Sequence, residues 1–226
     1  MANSRPPQLD PRKVSVLKVD GDLPAVASLH LTPDALRARF LRPPHWQPEY
    51  RTEIKVLDRT PQHAAVLIPI IMSDVPTVLL TQRTDHLSTH AGQIAFPGGK
   101  VDDGDVDATA AALREAWEEV GLCTQSLEVL GTMPLYTTGS AYLVTPVVAL
   151  VAPGCVLQPN VQEVSDVFEV PLQFLMTPAN HRHHAMDWQG QSRHWLSMPY
   201  QDGATERFIW GATAGILRNF YRFLIA

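Results

Sequence analysis

Apolar residues along this chain fall into short runs separated by Gly, Pro and polar clusters, and most of the runs have strand length. AAVLIPIIM (64–72) and TVLLTQR (77–83) read as strands joined by a Ser-Asp-Val-Pro turn. QIAFPGG (93–99) starts as a strand and breaks at its glycines. LEVLGTMPLYT (127–137) and YLVTPVVALVA (142–152) are strand-like, as are RHWLSMPY (193–200) and TERFIWG (205–211). VFEVPLQFLM (167–176) reads as a strand end running into a short helix after Pro171. Three stretches are helical. LTPDALRARFL (31–41) has Thr32 as N-cap, Pro33 at the first helical position and Asp34 in the first turn. Asp107 to Val120 is Ala-rich and uninterrupted, and is followed by Gly121. GATAGILRNFYRFLI (211–225) closes the chain as a helix. Strands, one central helix, more strands and a last helix imply a mixed α/β architecture whose order is not that of a doubly wound parallel sheet.

RPPHWQPEYR (42–51) carries three prolines and reads as a linker. It divides an arm, residues 1–51, from a domain over 52–226. The arm could lie free, cover a cleft or join a dimer, so a homodimer stays open. The 226 residues are 45% hydrophobic, enough for a core, and the net charge of −5 offers no basic footprint for nucleic acid. No apolar run approaches the roughly 18 residues of a membrane span. MANSRPPQLD has no apolar leader core. Cys123 and Cys155 show no metal-ligand spacing and read as buried thiols. A cytoplasmic protein is the expectation.

The chemistry gathers in FPGGKVDDGDVDATAAALREAWEEVGL (96–122). At about 100° per residue, Glu115, Glu118 and Glu119 share one helix face with Ala108, Ala111 and Ala112, while Leu113, Trp117 and Val120 lie opposite as the expected anchoring face. Charge runs are ordinarily solvated. Here the acids sit at the helix C-terminal end, where the macrodipole favours cations. No Lys or Arg stands four residues after any of them. Divalent cations would compensate, because hard cations prefer carboxylate oxygens, often beside phosphates. Gly98 and Gly99 would allow the backbone to approach a metal or a phosphate.

The stretch resembles the box that marks the Nudix hydrolases. Arg114, Glu115, Glu118, Glu119, Gly121 and Leu122 fall on its R-E-x-x-E-E-x-G-U positions. Asp105 stands where the box has its first Glu, with one extra residue before Arg114, and Ala116 replaces a bulky aliphatic. Upstream, LLTQRTDHLSTHAGQIAFPGGKVD (79–102) resembles the motif of the coenzyme A pyrophosphatase branch. Leu79, Leu80, Thr81, Arg83, Gly92, Phe96, Pro97, Gly98, Gly99 and Asp102 match it, Thr84 is a mild change, and Ser88 replaces an arginine. His86 and His90 could supply part of the lost charge.

The resemblance implies an α+β Nudix fold, a mixed β-sheet sandwiched between helices with a loop-helix-loop motif. It implies Mg²⁺ or Mn²⁺ as cofactor, with Glu115 and Glu119 as ligands, Glu118 on a second ion and the Gly99 carbonyl as a further ligand. Arg114 would orient a neighbouring glutamate through a bidentate salt bridge. Glu163, in NVQEVSDVF, is a candidate general base, with a plain surface acid as the alternative. Arg83 would meet a phosphate or make a structural salt bridge, and His90, Gly92, Phe96 and Gly98 would line the substrate site. HRHH (181–184) reads as a solvated polar loop rather than a metal site. The implied reaction cuts coenzyme A or its thioesters to 3′,5′-ADP and 4′-phosphopantetheine or its acyl derivative. Another diphosphate such as ADP-ribose is the alternative, and a non-catalytic binding module the third reading. The partner is a small molecule; no nucleic acid or membrane is implied.

Overall fold

The computed structural model describes residues 10–53, 60–84, 92–188 and 190–226. In chain order the strands and helices are β1 (Lys18–Val19), α1 (Pro33–Leu41), β2 (Gln62–Ile71), β3 (Thr77–Arg83), β4 (Ile94–Ala95), β5 (Gly98–Lys100), α2 (Ala108–Val120), β6 (Leu127–Thr132), β7 (Tyr136–Thr137), β8 (Tyr142–Val151), β9 (Val164–Pro171), α3 (Leu172–Leu175), β10 (Arg182–Trp188), β11 (Gln191–Asp202), β12 (Thr205–Trp210) and α4 (Gly211–Ile225). One mixed sheet runs β4-β3-β2-β8-β6, with β5 on β2, β7 on β8 and β9 on β3. Its β2–β8 pair is parallel and its other pairs are antiparallel. A second, antiparallel sheet runs β1-β10-β11-β12.

The period-two alternation of strand side chains builds two cores from the large sheet. Ala65, Leu67, Leu79, Val147, Ala149 and Val151 face one way and meet Ala111, Ala112 and Ala116 of α2. Ile68, Ile70, Val78, Leu80, Val148 and Leu150 face the other way and meet Leu217 and Phe220 of α4, with Leu36 of α1 beyond. The sheet therefore lies between helices, as expected. Each fully buried Leu, Ile or Phe contributes about 1.5–3 kcal/mol.

Residues 10–51 pack onto this body. Val26, Leu31 and Leu36 are buried. β1 pairs with β10, and Asp20 enters a buried ion network around Arg218 of α4. Arg218 lies 3.0 Å from Asp20 and 2.8 Å from Glu49, and donates to His181 Nδ1 at 3.0 Å. His181 therefore keeps its proton on Nε2, which donates to the Leu175 carbonyl at 2.8 Å. Burial pushes the imidazole down to about 4.

The HRHH stretch is not the solvated loop expected from its polarity. Arg182 to His184 begin β10, and His181 and His184 are buried. His184 pairs with Ser197 Oγ at 2.8 Å and stacks on Trp195. Polarity alone points to solvent, but here hydrogen bonds to backbone carbonyls and to Ser197 offset the cost of burial.

Candidate active site

α2 is capped at both ends by its sequence. Asp107 accepts from the Ala110 N–H at 2.8 Å, and Gly121 ends the helix at φ 72°. The Gly121 and Leu122 amides return to the carbonyls of Trp117 and Ala116. A Cβ on Gly121 would stand 2.8 Å from the Gln158 nitrogen, so only glycine lets the following loop close on the helix. That loop supplies the missing donors: the Gln158 amide to Val120 O and the Asn160 amide to Glu119 O, each at 2.9 Å.

The helix packs by its alanines rather than by Trp117; of the expected anchors, Val120 is buried and Leu113 is partly buried. Ala111, Ala112, Ala116 and Val120 are buried against the sheet, and Trp117 is 55% exposed. Small side chains allow the helix axis to lie close to the strands, whereas Trp117 would hold it off. Close approach carries Glu119 inward with the alanines, to 3% exposure.

Four elements converge there. β5 brings Gly98, whose N–H donates to Glu119 Oε2 at 3.1 Å. β3 ends at Arg83, whose guanidinium lies 3.5 Å from Glu119 Oε1. The pairing of Arg83 with Val164 sets Glu163, the residue before β9, at the same end of the sheet. α2 contributes Glu115, Glu118 and Glu119. Burial pushes the Glu119 carboxyl up to about 7, and the charges of Glu115 and Glu163 add to the rise against the pull of the Gly98 amide and Arg83. Glu115 is also raised, by burial first, with Arg114 opposing and Glu118 and Glu163 adding. The site thus holds more negative charge than its own cations neutralise.

Arg114 is the hub of the exposed side. It meets Asp105 through two bonds, Nε to Oδ1 at 3.0 Å and Nη2 to Oδ2 at 2.9 Å, and reaches Glu115 and Glu118 at 3.0 Å each and the Lys100 carbonyl at 3.1 Å. The bidentate partner is thus Asp105 and not a glutamate, as the sequence had suggested. Asp105 also accepts from the Asp102 amide at 2.8 Å, which folds the loop before α2. Arg114 stands four residues before Glu118, so it supplies the compensation that was sought only on the C-terminal side.

Among the described residues no three acids or imidazoles are gathered as a ready metal cage. The Arg114 bonds hold Glu118, half exposed, toward the loop. The donor set still fits a hard dication: all-oxygen, net negative, and with space kept for it. A Cβ on Gly99 would fall 2.4 Å from Glu115 Oε1, so glycine there leaves the carboxylate and the neighbouring carbonyl open to each other.

Of the expected substrate residues, Gly92 lies in the turn before β4 at φ 67°. Phe96 is 3% exposed and belongs to the core that also holds Leu217 and Phe220 of α4. His90, with His86 and Ser88, lies outside the described residues. Arg83 Nε is buried and has no hydrogen-bond partner among the described residues. Asn160 escaped the sequence reading, although Asn three residues before Glu163 is a turn-forming spacing.

The family model for the NUDIX domain matches residues 61–196, and the chain belongs to the Nudix family. It is a hydrolase of pyrophosphate linkages, of a family that uses divalent cations. The uncharacterized Nudix hydrolase NudL of Escherichia coli (strain K12) is 48% identical over 161 residues, covering 70% of this chain and 80% of NudL. Among solved structures, the Caenorhabditis elegans Ap4A hydrolase binary complex aligns at TM-score 0.43 and 23% identity, over 52% of this chain and 85% of that one. The Mycobacterium smegmatis Nudix hydrolase RenU aligns at 0.42 and 25%, over 56% and 78%. No helix of the described residues is long and apolar enough to cross a membrane.

Proposed function

We propose that the protein cleaves the diphosphate of coenzyme A or its thioesters, giving 3′,5′-ADP and 4′-phosphopantetheine or its acyl derivative. The observation that carries this reading is the LLTQR…FPGG motif, whose two ends meet the acidic helix: Arg83 at 3.5 Å and the Gly98 amide at 3.1 Å both address Glu119. Residues 52–226 form the catalytic unit and residues 1–51 an arm, whose described part, residues 10–51, braces α4.

Glu115 and Glu119, with the Gly99 carbonyl, would hold Mg²⁺ or Mn²⁺, and Glu118 would serve a second ion. When bound, the cation neutralises phosphate charge and makes water a stronger acid. Arg83, whose side chain is a quarter exposed beside Glu119, offers its guanidinium to a phosphate oxygen. Glu163 accepts the proton of the attacking water. The water oxygen bonds to one phosphorus, the bridging P–O bond breaks, and the bridging oxygen leaves with the other phosphate. Arg114 holds the Glu115 and Glu118 carboxylates in place and does not touch substrate.

The test is steady-state hydrolysis of coenzyme A, dephospho-CoA and ADP-ribose in parallel with Mg²⁺ or Mn²⁺. A kcat/KM for coenzyme A at least about tenfold above the other two, a difference of about 1.4 kcal/mol in transition-state binding, supports the reading. Preference for ADP-ribose would assign the same chemistry to another diphosphate, and Ser88, where the motif has arginine, becomes the residue to exchange.

A further inference from the structure

The loop between β8 and β9 is fastened to the end of α2 by the Gln158 and Asn160 amides, and Asn160 also ties that end to Glu163. Every polar group of Asn160 is used. Its N–H donates to the Glu119 carbonyl at 2.9 Å, and its own carbonyl accepts from the Glu163 and Val164 amides, each at 2.9 Å. Its Oδ1 accepts from the Gln162 amide at 3.1 Å, an Asx turn, and its Nδ2 donates to Glu163 Oε1 at 3.3 Å. From the other side the Thr84 amide donates to the Glu163 carbonyl at 3.0 Å, directly after Arg83. One residue therefore joins the backbone of the buried acid, Glu119, through its own N–H, to the carboxylate of Glu163, through its side-chain amide.

We infer that Asn160 is a positioning residue that holds the Glu163 carboxylate toward Glu115 and Glu119. The inference rests on the reading of Glu163 as proton acceptor. Without the Nδ2 bond the Glu163 side chain, repelled by two carboxylates, swings toward solvent. With it, one oxygen is occupied and the other is left to take the water proton. An acid misplaced by about 1 Å can lose a hundredfold in rate, so the bond is worth keeping even at modest strength.

Two variants separate positioning from folding. Asn160→Asp keeps the Oδ1 acceptor and all backbone bonds but exchanges the donor for a second carboxylate oxygen. Asn160→Ser keeps a turn-forming acceptor, adds no charge and cannot reach Glu163. Both are compared with Glu163→Gln and combined with it, reading kcat, KM and thermal midpoint with coenzyme A and Mg²⁺. Glu163→Gln is expected to lower kcat about a hundredfold, in the range of a lost general base. Each Asn160 variant is expected to lower kcat about tenfold, with KM within about twofold and little change in midpoint. In the Glu163→Gln background each should change kcat by less than about twofold, because the group it positions is gone. Full activity in both Asn160 variants, while Glu163→Gln is impaired, overturns the inference. An equal loss in both backgrounds overturns it too, since Asn160 then acts by another route. Full activity in Glu163→Gln removes the proton-acceptor assignment, and the inference falls with it.

Discussion

Glu119→Gln should make the metal-free protein more stable while removing its activity. The carboxyl stands at about 7 in the folded chain against an ordinary 4.5. That rise, at about 1.4 kcal/mol for each tenfold change, corresponds to about 3.5 kcal/mol. Below pH 4.5 the group is protonated both folded and unfolded and costs nothing. Between 4.5 and 7 the unfolded chain releases the proton and the folded chain keeps it, so the penalty grows; above 7 it is complete. Gln keeps the size of the side chain and still accepts the Gly98 N–H, but gives up the attraction to Arg83 at 3.5 Å. The net gain at pH 8 is therefore about 1–3 kcal/mol, a sizeable part of the about 5–15 kcal/mol by which folded proteins are held. Urea unfolding in the presence of a chelator measures it at pH 8 and pH 5. The gain should be present at pH 8 and much smaller at pH 5. Adding Mg²⁺ should raise the wild-type midpoint more than that of the variant. A variant less stable than wild type at pH 8, or a gain independent of pH, would refute the argument that Glu119 is an unneutralised buried charge.

Gly99→Ala should cut kcat about tenfold or more with a modest loss of stability, because its Cβ would stand 2.4 Å from the Glu115 carboxylate; kinetics with Mg²⁺ and a thermal melt check it. Asp20 is pushed up by burial but held at about 2 by His183, Lys18 and Arg218, below its ordinary 3.8. It contributes about 2 kcal/mol at neutral pH, which should fade as pH falls from 3.8 toward 2; Asp20→Asn should be destabilised by about 3 kcal/mol at pH 7 and lose that part of the acid slope in urea unfolding. His181, buried at about 4 against an ordinary 6.5, should cost stability progressively as pH falls from 6.5 to 4. His181→Gln should flatten that limb in the same titration, and a limb of unchanged slope would count against the neutral buried imidazole.

Local patterns were legible where one rule governs. The closing helix, 211–225, and the strand 77–83 have the expected limits, because their apolar content and breakers leave one solution. The acidic helix was found, with its Asp107 and Gly121 ends, and the Arg-Glu-Glu-Glu set was named. What could not be read was which face of that helix packs. Bulk suggested Trp117, but the distance between helix and sheet decided for alanine. The HRHH stretch failed for a related reason. Its partners range from the Leu175 carbonyl, six residues away, to Ser197, Arg218 and the Val14 carbonyl, 170 residues away, and they make burial of the imidazoles tolerable. The link between Arg114 and Asp105 spans nine residues, yet it depends on a loop conformation that spacing alone does not fix. Asn160 is similar: its turn is local, but its meaning comes from the contact with Glu119.

The central claim is that water attacks the coenzyme A diphosphate at the carboxylate site. Hydrolysis of coenzyme A in heavy-oxygen water, with products weighed by mass spectrometry, tests it most directly. The account predicts 3′,5′-ADP and 4′-phosphopantetheine, with a single heavy oxygen on the phosphate of one of them, and no such products from Glu119→Gln. Release of the 3′-phosphate, cleavage without label, or intact coenzyme A alongside cleavage of another diphosphate would contradict it.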